Sequence, residues 1–414
     1  MYKETDRSSK TGFVSGVLSL RGILAIMVAT AHTLNFTILC NYSGSVLDQH
    51  SLRDMLAKAC TVLHVPTIFF IISGLAIARS LDRKEEFTQR GRTYVIFIVR
   101  RALRLYPAHI AATFGILVLA WIFLMDAPPV DVSRFQVTGI DFLAGWLNGA
   151  VFNPLKTTSV IGNFLIATWS MNLVVWSLYV EVCAIPFLPL FHRIVRDRNA
   201  AADAVVLGCL VIISIRMWGT VGIQFLFTFY LGMLVQTRGR DCARFLIRCT
   251  GGAGRAALLA WAAMFGTGLV QPQDWQPAFY IQAVGAFAVI CLVVWRDETA
   301  APGLLSHPVL RWTGLMSYSF YLWHYIVLTV IVRQFYVALS PAAMLRNDLL
   351  IFAVVEIASV AVALGLAQLS YSYVEEPCIL WGMRMEAVWR RLGVPRALQP
   401  TLRPAPQVGA EAAD

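Results

Sequence analysis

The sequence predicts an all-α, polytopic membrane protein with about ten transmembrane helices and both termini on the cytoplasmic side. Three observations carry that expectation. Hydrophobic residues make up 58% of the 414 and charged residues only 14%, where a soluble chain of this length carries about a quarter charged. The mean hydropathy is +0.65. The basic residues fall in short clusters between apolar runs, as loops obeying the positive-inside rule do.

Runs long enough to cross about 30 Å of hydrocarbon lie near 14–38, 61–79, 105–125, 169–191, 203–219, 221–236, 255–271, 278–295, 314–337 and 348–370. Residues 81–92, 192–198 and 237–248 and the tail from Arg384 are rich in Lys and Arg, whereas 39–60, 126–168, 271–277 and 340–348 are poor. That asymmetry places the rich segments, and both ends, in the cytoplasm. The stretch 94–104, YVIFIVRRALR, reads as an amphipathic helix on that face. Residues 1–13 form a cytoplasmic segment, 14–378 the membrane domain, and 379–414 a cytoplasmic tail that loses apolar periodicity.

The net charge of +10 is spread over short loops, so it argues for membrane lipid headgroups and against nucleic acid. The eight cysteines show no metal spacing, and no metal is expected. Cys183, Cys209 and Cys291 read as small core residues. Cys40 and Cys60 flank one outward segment and are placed to pair if it meets an oxidising compartment.

Charged groups inside such runs are costly unless they face protein or water. SLRGILAIMVATAHTL holds Arg21 and His32, 11 residues apart. That is three turns plus about 20°, so both project from nearly one face, about 16 Å apart along the axis. Taken alone, the two also fit side chains snorkelling to opposite surfaces. FFIISGLAIARS brings the small pair Ser73 and Gly74 into mid-span, where a neighbouring helix or a ligand chain can approach closely. In RRALRLYP, Arg100, Arg101 and Arg104 form a ridge suited to phosphate groups or lipid headgroups. WSLYVEVCAIP holds Glu181, which needs a cation. SYSFYLWHYIVL adds Ser317, Tyr318, Tyr321 and His324; Trp323 and Tyr325 beside them suggest an aromatic belt.

In order and wording, SLRGILAIMVATAH, FFIISGLAIARS, RRALRLYP, WSLYVE, SYSFYLWH and YSYVEEP resemble acyltransferase family 3, the membrane O-acyltransferases that modify polysaccharides and other glycans. The resemblance runs from about residue 17 to 377. It implies about ten spans, an acyl-CoA donor, acetyl-CoA by analogy, entering from the cytoplasm as co-substrate with no tightly bound cofactor, and a glycan acceptor, in some members lipid-linked. It also implies a bacterial inner-membrane location. Arg21, Gly22 and His32 match the family's first-span motif, whose histidine is the presumed catalytic residue. Arg101 and Arg104, with Arg100 beside them, match its arginine pair; Ser73 and Gly74 its serine-glycine step, read SGL rather than SGF; and Glu181 its intramembrane glutamate. In YVEEP, Glu375 and Glu376 are both placed for the late glutamate.

The chemistry gives these residues roles. Transfer from a thioester to a sugar hydroxyl needs a base, and positive charge near the oxyanion and the CoA phosphates. His32 deprotonates the acceptor or carries the acyl group, with Glu181 orienting it and Arg21 stabilising charge. Arg100, Arg101 and Arg104 hold CoA phosphate, and Ser73-Gly74 passes the pantetheine arm. Trp146, Asn148 and Trp169, from the outer stretch 126–168 and its edge, are candidates for binding sugar, with Tyr321 and His324. Two alternatives stand beside this reading: a proton-coupled transporter, and an acyltransferase acting on a small molecule.

Overall fold

The computed structural model describes residues 11–36, 65–82, 92–124, 130–131, 157–169, 171–197, 199–270, 276–295 and 304–393. Among these residues every regular element is helical. In chain order the helices are α1 (Thr11–Phe36), α2 (Val65–Asp82), α3 (Arg92–Leu124), α4 (Thr157–Phe164), α5 (Val175–Ala184), α6 (Leu188–Arg196), α7 (Ala200–Arg216) and α8 (Leu226–Thr250). There follow α9 (Ala253–Val270), α10 (Gln276–Val294), α11 (Pro308–Leu315), α12 (Ser317–Ala338), α13 (Pro341–Arg346), α14 (Asp348–Ser370) and, after a π turn at Tyr371–Glu375, α15 (Glu376–Gly393).

Nine of the ten apolar runs fall on a long helix each and the run 169–191 on α5 and α6 together, but among the described residues six helices are long and apolar enough to cross a bilayer. A seventh crossing is formed if α5 and α6, bent by 59°, count as one span. Pro186 sits at that bend and has no N–H with which to continue the ladder. The other three expected spans fall short for separate reasons. Helix α7 has only 17 residues and ends on Arg216. The second half of α8 carries Arg238, Arg240, Arg244 and Arg248. Among the described residues, the apolar stretch of α9 is Ala253–Gly266, too short to cross on its own. Large apolar side chains face outward, among them Phe114, Trp121, Leu350 and Ile357, as expected where lipid replaces water.

One expected boundary is corrected. Residues 94–104 are not a separate surface helix, because α3 runs unbroken through them with Pro107 inside. Its 33 residues reach about 50 Å at ~1.5 Å per residue, so the basic first third extends beyond the hydrocarbon. At the other end of the chain α15 stays helical to Gly393, and the residues after it lie outside the described ones. Among the cysteines, Cys291 is buried as expected, whereas Cys209 is exposed on the outward side of α7. Cys40 and Cys60 lie outside the described residues.

Glycines close the crossings around the site. A Cβ on Gly74 of α2 would lie 2.2 Å from the carbonyl oxygen of Phe229 in α8, and one on Gly232 of α8 would lie 2.0 Å from that of Ile71. Backbone therefore meets backbone there, the usual route to tight helix association in lipid. Gly22 and Gly314 do the same for α1 and α11, with Leu18 carbonyl oxygen 1.9 Å from a Cβ built on Gly314. Helix α7 starts at Asn199, whose side chain accepts from the N–H groups of Ala201 and Ala202 at 3.0 and 3.2 Å, a local cap.

Candidate active site

A cavity of about 90 Å³ opens between α1, α2, α3, α5 and α12. Arg21, Ser73, Arg101, Arg104, Glu181 and Tyr321 line it. Five stretches of sequence separated by up to 300 residues thus deliver their polar groups to one chamber, and the reason is the cost of leaving them in lipid. Apolar walls come from Phe69, Phe70, Leu105 and Leu178.

Glu181 is the electrostatic centre of the chamber. Its Oε1 accepts from Ser73 Oγ at 2.8 Å and from Arg101 Nη1 at 3.0 Å. The glutamate thus belongs to the arginine end, and its two bonds are not to His32. Arg21 and Arg104 lie within electrostatic reach of each other and of Glu375, and Arg21 also of Glu181. Among the described residues neither arginine bonds a carboxylate, so both remain available to an anion in the cavity.

The basic ridge divides. Arg101 and Arg104 face the chamber, while Arg100 turns to α15 and pairs with Glu386. Residues 100 and 101 stand about 100° apart on the helix, so one azimuth cannot serve both. The serine-glycine step divides as well: Ser73 lines the cavity, whereas Gly74 faces the backbone of α8. Between Glu375 and Glu376, the structure favours Glu375. It is 3% exposed, sits at the end of the π turn, and accepts from Ser319 Oγ at 2.7 Å.

His32 and His324 lie one layer further along, packed against each other with ring centroids 5.5 Å apart and planes tilted by 33°. The edge of Tyr325 closes on His32 at 5.3 Å. His324 also stands 5.5 Å from Tyr321, whose ring reaches the cavity. The path from arginines to histidines therefore runs through Tyr321, held by Ser177 Oγ at 3.0 Å and by the Val174 carbonyl at 3.2 Å. Trp323 and Tyr325 are not a surface belt: Tyr325 is buried, and Trp323 packs over Gly115 of α3.

Of the expected acceptor residues, Trp169 is half-buried against Tyr179 at 5.7 Å and does not line the cavity. Trp146 and Asn148 lie outside the described residues.

The sequence reasoning passed over two residues that its own rule would have found. Glu356 sits in the apolar run of α14 and accepts from Thr30 Oγ1 at 2.6 Å. His109 sits in mid-α3, buried, with Nε2 at 2.7 Å from the Asn163 carbonyl. Tyr318, singled out in the sequence, lines the cavity and donates to the Leu105 carbonyl at 2.8 Å.

Among the described residues no group of three or more His, Cys, Asp or Glu side chains is arranged to hold a metal ion. A family model described as an acyltransferase domain matches residues 16–368. No curated protein and no solved structure matches the chain.

Proposed function

The chain belongs to acyltransferase family 3, and on that premise we propose that it is a membrane O-acyltransferase moving a short acyl group, acetyl above all, from acyl-CoA to a hydroxyl of a glycan. The observation that carries the reading is the arginine-lined cavity joined through Tyr321 to a buried histidine pair. A cavity of about 90 Å³ exceeds what a water needs and falls short of the ~150 Å³ that admits benzene. That size suits an acetyl thioester and leaves the nucleotide of CoA outside, toward the basic first third of α3.

The residues fit such a donor. Arg104, uncommitted and beside Arg101, supplies the charge that attracts phosphate. Glu181 holds Arg101 in place, and Ser73 holds Glu181. Arg21 brings positive charge to the thioester oxygen as it becomes an oxyanion. His32 deprotonates the acceptor hydroxyl or carries the acyl group in transit. The donor enters from the cytoplasmic side, where the Lys- and Arg-rich segments and both termini lie in this reading; with the shorter helices included, the chain makes about ten crossings of a bacterial inner membrane.

The acceptor follows from the resemblance: O-antigen, exopolysaccharide or lipo-oligosaccharide, with lipid-linked forms among them. The transporter alternative has no observation of its own in its favour. The test is mass spectrometry of surface glycans from cells lacking the gene, complemented with wild type or His32→Ala. One acyl mass restored by wild type and not by His32→Ala supports the reading. Unchanged glycans in every strain, with each protein present in the membrane, turn it toward a small-molecule acceptor.

A further inference from the structure

A histidine acting as base is ordinarily held by a third group that fixes which ring nitrogen carries the proton. Glu181 does not fill that place here, because its bonds go to Ser73 and Arg101. The group packed on His32 is a second imidazole, His324.

The tautomer of His324 can be read from its surroundings. Its Nδ1 lies 3.3 Å from the Phe320 carbonyl oxygen of its own helix. A carbonyl only accepts, so Nδ1 is the protonated nitrogen and Nε2 carries a lone pair. That Nε2 is buried and has no hydrogen-bond partner among the described residues. The side chain is 2% exposed, and a buried acceptor left unmet is costly.

The ring around it is fixed. Phe320 stacks on His324 at 5.7 Å with planes 16° apart, and Tyr321 flanks it at 5.5 Å. His32, by contrast, is only half-buried, and the outer torsion of a histidine is broad. A ring-to-ring N–H···N bond of about 3 Å sets two imidazole centroids at a separation close to the 5.5 Å observed. The spacing therefore admits such a bond once the His32 ring turns from its present contacts.

We propose that His324 is the positioning partner of His32: its Nε2 lone pair accepts the ring N–H of His32 and so decides which nitrogen of His32 faces the reacting hydroxyl. The inference rests on the acyl transfer proposed above, in its direct form. In that step the acceptor O–H bond breaks and its proton passes to the unprotonated nitrogen of His32. The hydroxyl oxygen bonds the thioester carbonyl carbon, the C–S bond breaks, and the leaving sulfur takes the proton back as the thiol of CoA. His324 exchanges no atom; it holds the base in its productive tautomer and steadies the imidazolium that forms.

The test uses the purified full chain in lipid nanodiscs, with acetyl-CoA as donor and the glycolipid fraction of the source cells as acceptor. His324→Leu is expected to lower kcat about 100-fold, the scale of a lost acid–base contribution, with KM for acetyl-CoA unchanged. His324→Gln, whose amide oxygen accepts the same N–H, is expected to recover most of the loss. Solid-state NMR of the ¹⁵N-histidine-labelled protein supplies a readout that needs no turnover, with the His32 signal identified by its loss in His32→Gln. One tautomer in wild type and a mixture in His324→Leu supports the inference. A single tautomer in both, or equal impairment by Leu and Gln, overturns it. A wild-type protein that transfers nothing overturns the proposed function, while the tautomer of His32 still judges the pairing.

Discussion

The guanidinium of Arg101 stands 3.0 Å from the carboxylate of Glu181 across 80 residues of sequence, and both side chains are largely buried, at 9% and 18% exposure. The pair ties α3 to α5 at the cavity wall. Removing one partner leaves the other charge stranded. Glu181→Leu is expected to cost about 3 kcal/mol, and the double variant Glu181→Leu/Arg101→Met less than that, since a matched apolar pair strands nothing. Thermal unfolding of wild type and the two variants in detergent checks this; a double variant as destabilised as Glu181→Leu, or more, refutes it.

Arg104 and Arg100 separate the donor grip from the structural pairing. Arg104→Ala is expected to raise KM for acetyl-CoA about 10- to 100-fold, the worth of one charge-assisted phosphate contact. Arg100→Ala, which loses only its pairing with Glu386, is expected to leave KM within about twofold. Initial rates against acetyl-CoA concentration distinguish the two.

Chain length of the donor is limited by the chamber. With about 90 Å³ to fill, acetyl and propionyl groups are expected to be transferred and octanoyl to fall by about 10- to 100-fold in kcat/KM, since overpacking costs on the order of 1–3 kcal/mol. Equal rates with octanoyl-CoA would show that the acyl group lies elsewhere.

Glu375 and its neighbour make a matched comparison. Glu375→Ala removes the carboxylate bonded to Ser319 and facing Arg21 and Arg104, and is expected to abolish most activity. Glu376→Ala, at the half-exposed start of α15, is expected to keep it. Acetyl transfer by the two variants, normalised to protein in the membrane, decides.

Crossing geometry gives a stability prediction. Gly74→Val drives a side chain into the Phe229 carbonyl, 2.2 Å from the first carbon, and is expected to cost about 2 kcal/mol or more. Gly365→Ala in α14 meets nothing within 4 Å and is expected to change stability by less than about 0.5 kcal/mol. Both are read from melting in detergent.

Much of the site was legible because a charge in an apolar run has few reasons to exist. That rule finds Arg21, Glu181 and His32, and applied evenly it finds Glu356 and His109. What it does not give is azimuth. Arg100 and Arg101 are equal on paper, and only the presence of Glu386 on α15 shows which one leaves the cavity. Nor does hydropathy see the bend at Pro186 or the backbone contact at Gly74, which composition alone also allowed to be a passage for a ligand. Those depend on which helix comes to lie opposite, and one chain read in order does not contain that information locally.

The run from Asp348 to Gly393 is one uninterrupted rod that carries Glu356, Glu375 and Glu386. The first meets Thr30, the second Ser319 and the third Arg100. Glu356 and Glu386 are separated by about 45 Å of axis at ~1.5 Å per residue, and their relative bearing is set by residue count together with the π turn at Tyr371–Glu375. Deleting one residue between Glu375 and Glu386 would swing the last by about 100° and leave the other two in place. Insertions and deletions are thus forbidden here in a way that substitutions are not, and this rod is the part of the chain whose length drift in related sequences should tolerate least.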